Sequence, residues 1–481
     1  MSAACPRYFP LLASTLEQAL AFLNGLDTRP VGATRSLSEL RRALTKPLRE
    51  QGMPADQVIE ELTRDTRGGL HGMASGRFFG WVVGGALPSA LAADWLASTW
   101  NQNAALYCGS PAGAIVEEVV GSWLKDVLQL PSQASFALVT GSQMAHATCL
   151  AAARHSLLAR RGWDVEEQGL AGAPRIRILA NGAHHGSVER AVRLLGLGRG
   201  SLVALPTDPT GKILVRELAQ ALQRDPSTAT ILCLQAGDIN TGAFDDFEAI
   251  IPLARRHSAW VHVDGAFGLW AAASPRYRHL LAGAQNADSW VTDGHKWLNV
   301  PYDCGYAFVA DSAAHRAAMT LRASYLSHAA DARDQIEWNP EWSRRARGFP
   351  TYAALRELGR EGLADLVERC CDHAQALVRG LGRLPGVEVL SPPIINQGLV
   401  RFLSPADSEP DHDRYTDEVI AGIVDDGEAL FSGTTWSGQR AMRISVCNWR
   451  TTPKDVERTL QSVARVLESK RALSGERPTP A

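Results

Sequence analysis

The chain has 481 residues, 45% of them hydrophobic and 21% charged, and this ordinary globular composition excludes intrinsic disorder as the main state of the protein. Its 49 Lys and Arg residues nearly balance 51 Asp and Glu residues, so the net charge of −2 argues against a surface dedicated to nucleic acid or to an anionic membrane. The 8 cysteines form no CxxC pair, and the sequence shows no signal peptide or membrane-spanning run, which predicts a cytoplasmic protein with reduced thiols.

The first predicted unit in chain order is a mainly helical N-terminal segment, residues 1–105. The tetrad Ser14-Thr15-Leu16-Glu17 has the pattern of a capping box, which predicts that a helix begins there. Two further units are predicted to follow, a large domain at residues 106–345 and a small domain at residues 346–481.

The large domain is predicted to have an α/β fold. Short apolar runs alternate with helical patterns, which indicates a mainly parallel central sheet with helices on both faces. The predicted strands are FALV (136–139), IRILA (176–180), LVAL (202–205), ILCL (231–234) and WVHV (260–263). The small domain is predicted to be α+β, with strands VEVL (387–390), GLVRFL (398–403) and MRISV (442–446).

Two segments resemble ligand sites but favour simpler interpretations. The glycine-rich run at residues 196–200 follows a helical pattern instead of a strand, so a helix end is favoured over a dinucleotide loop. Cys370, Cys371 and His373 lie in one helix-like run without a second ligand cluster nearby, so a helix surface is favoured over a metal site. We therefore predict no metal centre.

Two charged residues are predicted at the carboxyl ends of buried strands. Asp264 lies in HVDGAFG (262–268), and Lys296 lies in TDGHKW (292–297), which follows the apolar run ADSWV. A buried charge is costly unless it is paired, and the carboxyl ends of parallel strands form the ligand crevice of open α/β sheets. The pair therefore indicates either a ligand site or a structural ion pair.

Pyridoxal 5'-phosphate would use both charges together. Its aldehyde needs a lysine amine for a Schiff base, its ring nitrogen needs a carboxylate, and its phosphate needs backbone donors and small polar groups. Ser142 and Gln143 follow a strand end and Gly141 and open a helical pattern, so they are predicted to bind the phosphate at a helix N-terminus. His295, beside the lysine, is expected to add a further phosphate contact.

The sequence resembles the group II pyridoxal-phosphate-dependent amino-acid decarboxylases, the family of aromatic-L-amino-acid and glutamate decarboxylases. The resemblance covers about residues 70–460, and its blocks occur in the family's order. They are RFFGWVVGGALPSALAADWL (77–96), HGSVERA (185–191), NTGAFD (240–245), HVDGAFG (262–268), DGHKWLNVPYDCG (293–305), Arg344–Arg345 and MRISVCNW (442–449). The resemblance implies fold type I of the pyridoxal-phosphate enzymes, which is the aspartate-aminotransferase-like fold.

The same resemblance implies how the cofactor is held. Lys296 would bind it covalently, and Asp264 would pair with the protonated ring nitrogen. Ala266 would pack on one face of the ring, and Asp293 belongs to the same cofactor-binding motif as the lysine.

Two implied roles concern the chemistry at the substrate. His185 resembles the histidine that stacks on the other ring face near the substrate carboxylate, with the neighbouring His184 as the competing assignment. Tyr325 matches the mobile-loop tyrosine that protonates the substrate carbon after CO2 leaves, and its presence favours amine over aldehyde as the product.

Two residues are expected to contact the substrate itself. Arg443 resembles an arginine that meets the α-carboxylate in some family members, although a buried ion pair is an equal alternative. Trp81, followed by two valines, offers no counter-charge for a side-chain carboxylate, which favours an aromatic or apolar amino acid.

The leading hypothesis is therefore a cytoplasmic homodimeric amino-acid decarboxylase with its active site at the subunit interface. One alternative keeps the cofactor but makes the protein an aldehyde synthase, an amine oxidase or a carbon–carbon lyase. Others are a decarboxylase of acidic or diamino acids, and a non-catalytic interaction protein that has kept the fold. The intact set of lysine, aspartate, histidine and tyrosine argues against the last of these.

Overall fold

The computed structural model describes residues 8–321, 332–405 and 411–473. Residues 8–105 contain four α-helices: α1 (Tyr8–Asn24), α2 (Leu37–Leu44), α3 (Ala55–Thr66) and α4 (Pro88–Trp100). The capping box predicted at Ser14 is wrong, because α1 begins at Tyr8 and the Thr15 hydroxyl donates to the Leu11 carbonyl one turn earlier. A capping box occurs instead at Ser36, at the start of α2. The Ser36 side chain accepts the backbone N–H of Glu39, and the Glu39 side chain accepts the backbone N–H of Ser36.

A seven-stranded sheet forms the centre of the molecule. Its strands are β1 (Ser135–Val139), β2 (Ile176–Asn181), β3 (Leu202–Leu205), β4 (Ala229–Gln235), β5 (Trp260–Asp264), β6 (Ser289–Asp293) and β7 (Gly305–Val309), in the spatial order β1-β7-β6-β5-β4-β2-β3. Only β7 runs antiparallel to its two neighbours. The predicted α/β fold with a mainly parallel sheet is confirmed, although β7 was not among the predicted strands.

Helices cover both faces of this sheet. They are α5 (Pro111–Val127), α6 (Ser142–Ala159), α7 (Val165–Gln168), α8 (Gly186–Leu194), α9 (Val215–Arg224), α10 (Phe247–Arg256), α11 (Ser312–Met319) and α12 (Gly348–Leu381). Successive strand residues point to opposite faces, so Ala137 and Val139 pack in the apolar cluster under α6 and α8, whereas Leu138 packs in the cluster under α5 and α12.

A smaller four-stranded antiparallel sheet follows. Its strands are β8 (Val387–Ser391), β9 (Gln397–Phe402), β10 (Ser432–Trp436) and β11 (Gln439–Ser445), in the order β10-β11-β9-β8, and helices α13 (His412–Asp426) and α14 (Pro453–Leu473) accompany it. Strand β10 was not predicted. Among the described residues, no helix combines the length and the apolar character that crossing a membrane requires.

Candidate active site

A cavity of about 310 Å³ opens at the carboxyl ends of the central strands. This is the edge at which open parallel sheets bind their ligands. The cavity brings together eight residues that the sequence had singled out: Ser142, Gln143, His185, Asp264, Ala266, Asp293, His295 and Lys296.

Asp293 joins the lysine to the start of α6. Its Oδ2 lies 2.9 Å from Nζ of Lys296, and its Oδ1 accepts the backbone N–H of Ser142 at 2.6 Å. Burial alone would raise the pKa of this carboxyl, but Lys296, His295 and Ser142 together hold the pKa below its ordinary value. Asp293 therefore stays ionised and keeps the lysine amine at the cavity wall.

Asp264 ends β5 and points into the same cavity. Its Oδ1 accepts the N–H of Ala266 at 3.1 Å, and its Oδ2 lies 3.5 Å from Nε2 of His146. Burial opposes the charge, but His146, Lys296 and His185 hold the pKa of Asp264 below its ordinary range. The cavity thus contains a fixed anion, Asp264, and a lysine amine, which are the two groups required to bind a pyridine aldehyde.

The start of α6 forms a cup for an anion. The Ser142 hydroxyl is buried and has no hydrogen-bond partner within residues 8–321, 332–405 and 411–473. The N–H groups of Gln143 and Met144 belong to the first helical turn, where no earlier carbonyl of the helix can accept them. Gly305, the first residue of β7, packs directly against Gly141, and a Cβ on Gly305 would lie only 2.4 Å from the Gly141 Cα. The absence of a side chain at Gly305 therefore allows β7 to approach the cup closely.

His295 supplies a further donor beside this cup. Its Nδ1 accepts the N–H of Cys304 at 3.1 Å, so the proton of the neutral ring resides on Nε2, which lies 3.7 Å from Oδ2 of Asp293. Burial lowers the pKa of His295, with Asp293 acting in the opposite direction. The ring also stacks on Tyr302 at a centroid distance of 4.4 Å, which fixes its orientation.

The structure distinguishes His185 from His184. His185 precedes α8 and lines the cavity, with its Nδ1 accepting the N–H of Ser187 at 3.2 Å. His184 instead places Nδ1 2.7 Å from the Asn181 carbonyl oxygen and is not among the described residues that line the cavity. Desolvation in the cleft lowers the pKa of His185, assisted by the charge of Lys296 and opposed by that of Asp264.

Trp81 and Arg443 lie outside the part of the cavity wall that the described residues form. They share one partner, because the Ser432 hydroxyl accepts a hydrogen bond from the backbone N–H of Trp81 at 3.2 Å and another from Nη2 of Arg443 at 3.3 Å. Arg443 is 8% exposed, and burial lowers its pKa to about 10. Its Nε has no hydrogen-bond partner in the part of the chain that the structure describes. Tyr325 lies outside the described residues.

Sequence reasoning missed several residues of the site. The cavity wall also includes Gln235, Ile239 and Phe267. Gln235 could have been found, since it is a polar residue at the end of a predicted buried strand. His146 lies next to Asp264. The only feature of the sequence that could have marked it is its position as a histidine within a mostly apolar helical run.

The residues present fit pyridoxal phosphate. The unpartnered Ser142 hydroxyl and the open first turn of α6 match a phosphate, and His295 adds a donor. Lys296 matches the aldehyde and Asp264 the ring nitrogen, and both line the same cavity as the cup.

Comparison with known proteins identifies a family. Residues 38–403 match the family described as "Pyridoxal-dependent decarboxylase conserved domain". The chain is 24% identical over 454 residues to the aromatic-L-amino-acid decarboxylase of Bacillus atrophaeus, covering 93% of this chain and 92% of the relative. It is 29% identical over 393 residues to the L-2,4-diaminobutyrate decarboxylase of Rhizobium meliloti (strain 1021), covering 80% of this chain and 77% of the relative.

A solved structure supports the same fold. The crystal structure of Oryza sativa TDC with PLP and tryptamine superimposes with a TM-score of 0.90 at 22% sequence identity, covering 98% of this chain and 99% of that one. At this identity, the match speaks to the fold and not to the substrate.

Proposed function

This chain belongs to the pyridoxal-dependent decarboxylase family, and on that premise we propose that it converts an L-amino acid to the corresponding amine and CO2. Its cofactor is pyridoxal phosphate. When bound, this cofactor withdraws electrons from the bond that breaks at the substrate α-carbon. The observation that carries the proposal is the presence of Lys296, Asp264 and an anion cup in one cavity.

We assign the residues of the chain the following roles. Lys296 holds the cofactor covalently, and Asp264 keeps a negative charge against the ring nitrogen, with Ala266 and His185 on opposite sides of the ring. Ser142, Gln143 and His295 donate hydrogen bonds to the phosphate, and Asp293 orients both the lysine and the start of α6. Tyr325 delivers the proton that replaces the lost carboxylate at the α-carbon.

The substrate we favour has an aromatic or apolar side chain. Met144, Ile239 and Phe267 supply apolar wall to the cavity, and Trp81 lies one hydrogen bond from Ser432, the partner of Arg443. We assign Arg443 to the substrate α-carboxylate. The same buried, partly unpartnered guanidinium would equally suit the side-chain carboxylate of an acidic amino acid, so an acidic substrate is the second candidate.

A second copy of the chain is proposed to complete the enzyme as a homodimer. Helices α1 and α4 expose large apolar side chains that a monomer would leave in water, among them Leu12, Leu16, Leu20, Trp95 and Trp100. Light scattering on the purified protein tests this, with a mass of one chain as the contradicting result. The cytoplasmic location stays a prediction.

The test of the reaction is a screen of CO2 release from the twenty common amino acids, with diamino and sulfinic acids added. We expect one group of substrates, aromatic or apolar, to release CO2 and amine in equal amounts from the wild-type enzyme loaded with pyridoxal phosphate. The Lys296→Ala variant is the control for release that does not use the site. Full cofactor loading without CO2 from any of these substrates would contradict the proposal.

A further inference from the structure

Next to Asp264 lies a row of buried polar side chains, none of which is among the described residues that line the cavity. Nδ1 of His146 lies 2.8 Å from Nε2 of His262, and Nδ1 of His262 lies 2.8 Å from the Ser289 hydroxyl. The indole N–H of Trp260 donates to that same hydroxyl at 2.9 Å. Both histidines are fully buried.

The possible proton positions in this row are few. The Trp260 N–H can only donate, so the Ser289 oxygen accepts from it and the Ser289 hydroxyl proton is free to be donated to Nδ1 of His262. With Nδ1 accepting, the neutral His262 ring carries its proton on Nε2 and donates to Nδ1 of His146. The proton of a neutral His146 ring then lies on Nε2, the atom 3.5 Å from Oδ2 of Asp264.

For a neutral His146 ring, the opposite direction is disfavoured. If Nδ1 of His262 donated to Ser289, its Nε2 would accept from His146, and a neutral His146 would present a lone pair to the Asp264 carboxylate. Burial lowers the pKa of His262 to about 3, with His146 adding to the effect and Asp264 opposing it. His262 is therefore neutral at physiological pH, and its Ser289 contact sets which nitrogen carries the proton.

The groups that face the row from neighbouring elements are few as well. Lys296 and His185 act on Asp264 from across the cavity, and His185 also acts on His146. Two buried thiols complete the set: Cys233 on β4, which acts on Asp264, and Cys149 on α6, which contacts Ser289 and whose pKa burial raises. Burial raises the pKa of Cys233 to about 12, so this thiol carries no charge. The carboxylate of Asp264 is the only anion that the described residues place against His146.

We propose that His146 is a positioning residue for the cofactor. Its Nε2–H, directed by His262 and Ser289, keeps the Asp264 carboxylate ionised and turned toward the ring nitrogen. The inference rests on the proposed role of Asp264. It adds that the strength of that contact is set by side chains that never touch cofactor or substrate, as for the outer partners of metal-ligating histidines.

A merely structural role for His146 predicts a different result from a role exerted through the ring nitrogen. If the role is only structural, removing the imidazole would weaken binding of any cofactor that fills the cavity. A role exerted through Asp264 weakens binding only of a cofactor that has the nitrogen. Pyridoxal phosphate and its analogue with C–H in place of the ring nitrogen therefore form the decisive pair of ligands.

The experiment measures the dissociation constants of both cofactors for the wild-type enzyme and for His146→Leu. We expect the dissociation constant of pyridoxal phosphate to rise about 10- to 100-fold, and that of the carbon analogue to change less than about 2-fold. His146→Gln, which keeps a donor at the position of Nε2, is expected to retain most of the affinity. Equal weakening for both cofactors would overturn the inference.

The matched control is His315→Leu. His315 is also fully buried, lies 2.8 Å from a serine hydroxyl (Ser135) and places Nε2 2.9 Å from the Trp338 carbonyl oxygen, but it is not among the described residues of the cavity wall. It is expected to lower thermal stability without changing either dissociation constant.

Two further variants keep the test decisive. Should His146→Leu not fold, Ser289→Ala removes the hydroxyl that directs the row, and we expect a several-fold weaker binding of pyridoxal phosphate alone. Asp264→Asn separates the role of His146 from the proposed role of Asp264. If Asp264→Asn weakens the binding of pyridoxal phosphate but the His146 and Ser289 variants do not, only the inference about His146 fails. If Asp264→Asn itself leaves the binding unchanged, the proposed site fails.

Discussion

Nζ of Lys296 lies 2.9 Å from Oδ2 of Asp293, and the other oxygen of that carboxylate accepts the Ser142 N–H. One buried carboxylate thus connects the lysine after β6 to the helix start after β1. The two parts of the proposed cofactor site, the amine and the anion cup, are held in one geometry by Asp293.

Lys296→Ala is expected to abolish covalent attachment of the cofactor and to lower the rate of amine formation by roughly 10⁴-fold or more, because Lys296 is the only lysine among the described residues that line the cavity. Mass spectrometry after borohydride reduction checks attachment, and amine release checks the rate. Lys454→Ala, at an exposed position of α14, is the control and should behave as wild type. A borohydride-trapped adduct on another lysine would contradict the assignment.

Asp264→Asn should fold but bind pyridoxal phosphate weakly. Losing one partner of a buried charge pair costs roughly 3–5 kcal/mol, and most of that loss should appear as weaker cofactor binding and a slower reaction. Asp288→Asn, at the opposite edge of the sheet where Asp288 accepts the Val261 N–H at 2.7 Å, is the matched control. Native affinity and rate in Asp264→Asn would place the ring nitrogen against another residue.

Tyr325→Phe is expected to lower amine release by about 10²- to 10⁴-fold, the usual contribution of a general acid, while CO2 release falls less. In air, aldehyde and hydrogen peroxide should then increase, and under argon they should not. CO2, amine and peroxide measured in one reaction decide between a decarboxylase and an aldehyde synthase. Unchanged amine release would leave the proton donor to be sought at His185 or Lys296.

Arg443→Gln is expected to raise the KM of the best substrate about 10-fold or more with little change in cofactor affinity, because it removes a buried charge from the substrate and not from the cofactor. Ser432→Ala, which removes the hydroxyl shared with Trp81, should have the same effect on a smaller scale. If cofactor affinity falls as much as KM rises, the guanidinium has a structural role instead.

Folding stability should fall as the pH drops from about 6.5 toward 4.5. Burial lowers the pKa of His315 to about 3 from an ordinary 6.5, so in this interval the unfolded chain takes up a proton that the native protein excludes. The expected slope is about 1.4 kcal/mol per pH unit for each such histidine. Asp245, whose pKa burial raises to about 6, contributes with the opposite sign.

The comparison of variants isolates the histidine. His315→Asn should be less stable than wild type at pH 7 but should show a shallower loss of stability on acidification, measured by urea unfolding at several pH values. His279→Asn, at an exposed position, is the control and should follow the wild-type slope. An unchanged slope for His315→Asn would show that His315 accepts a proton in the folded protein.

The sequence alone was sufficient for the fold class, the family and the cofactor. Strand ends can be recognised locally from short apolar runs, and in parallel sheets those ends meet at one edge, so the sequence places Asp264 and Lys296 together. The helix start at Ser142 was predictable for the same reason, since a strand, a glycine and a helical pattern adjoin in the chain. The division into domains at residues 105 and 345 and the role of Tyr325 stay predictions.

Only the tertiary structure revealed which side chains support those residues. His146 and Asp264 are 118 positions apart, and Trp81, Ser432 and Arg443 come from two distant segments that meet at one hydroxyl. Contacts of this kind depend on how helices and strands pack in three dimensions, and no local pattern in the chain encodes them. Only the tertiary structure likewise shows that His185, and not His184, is among the described residues that line the cavity, and the role of His185 at the cofactor ring stays a prediction.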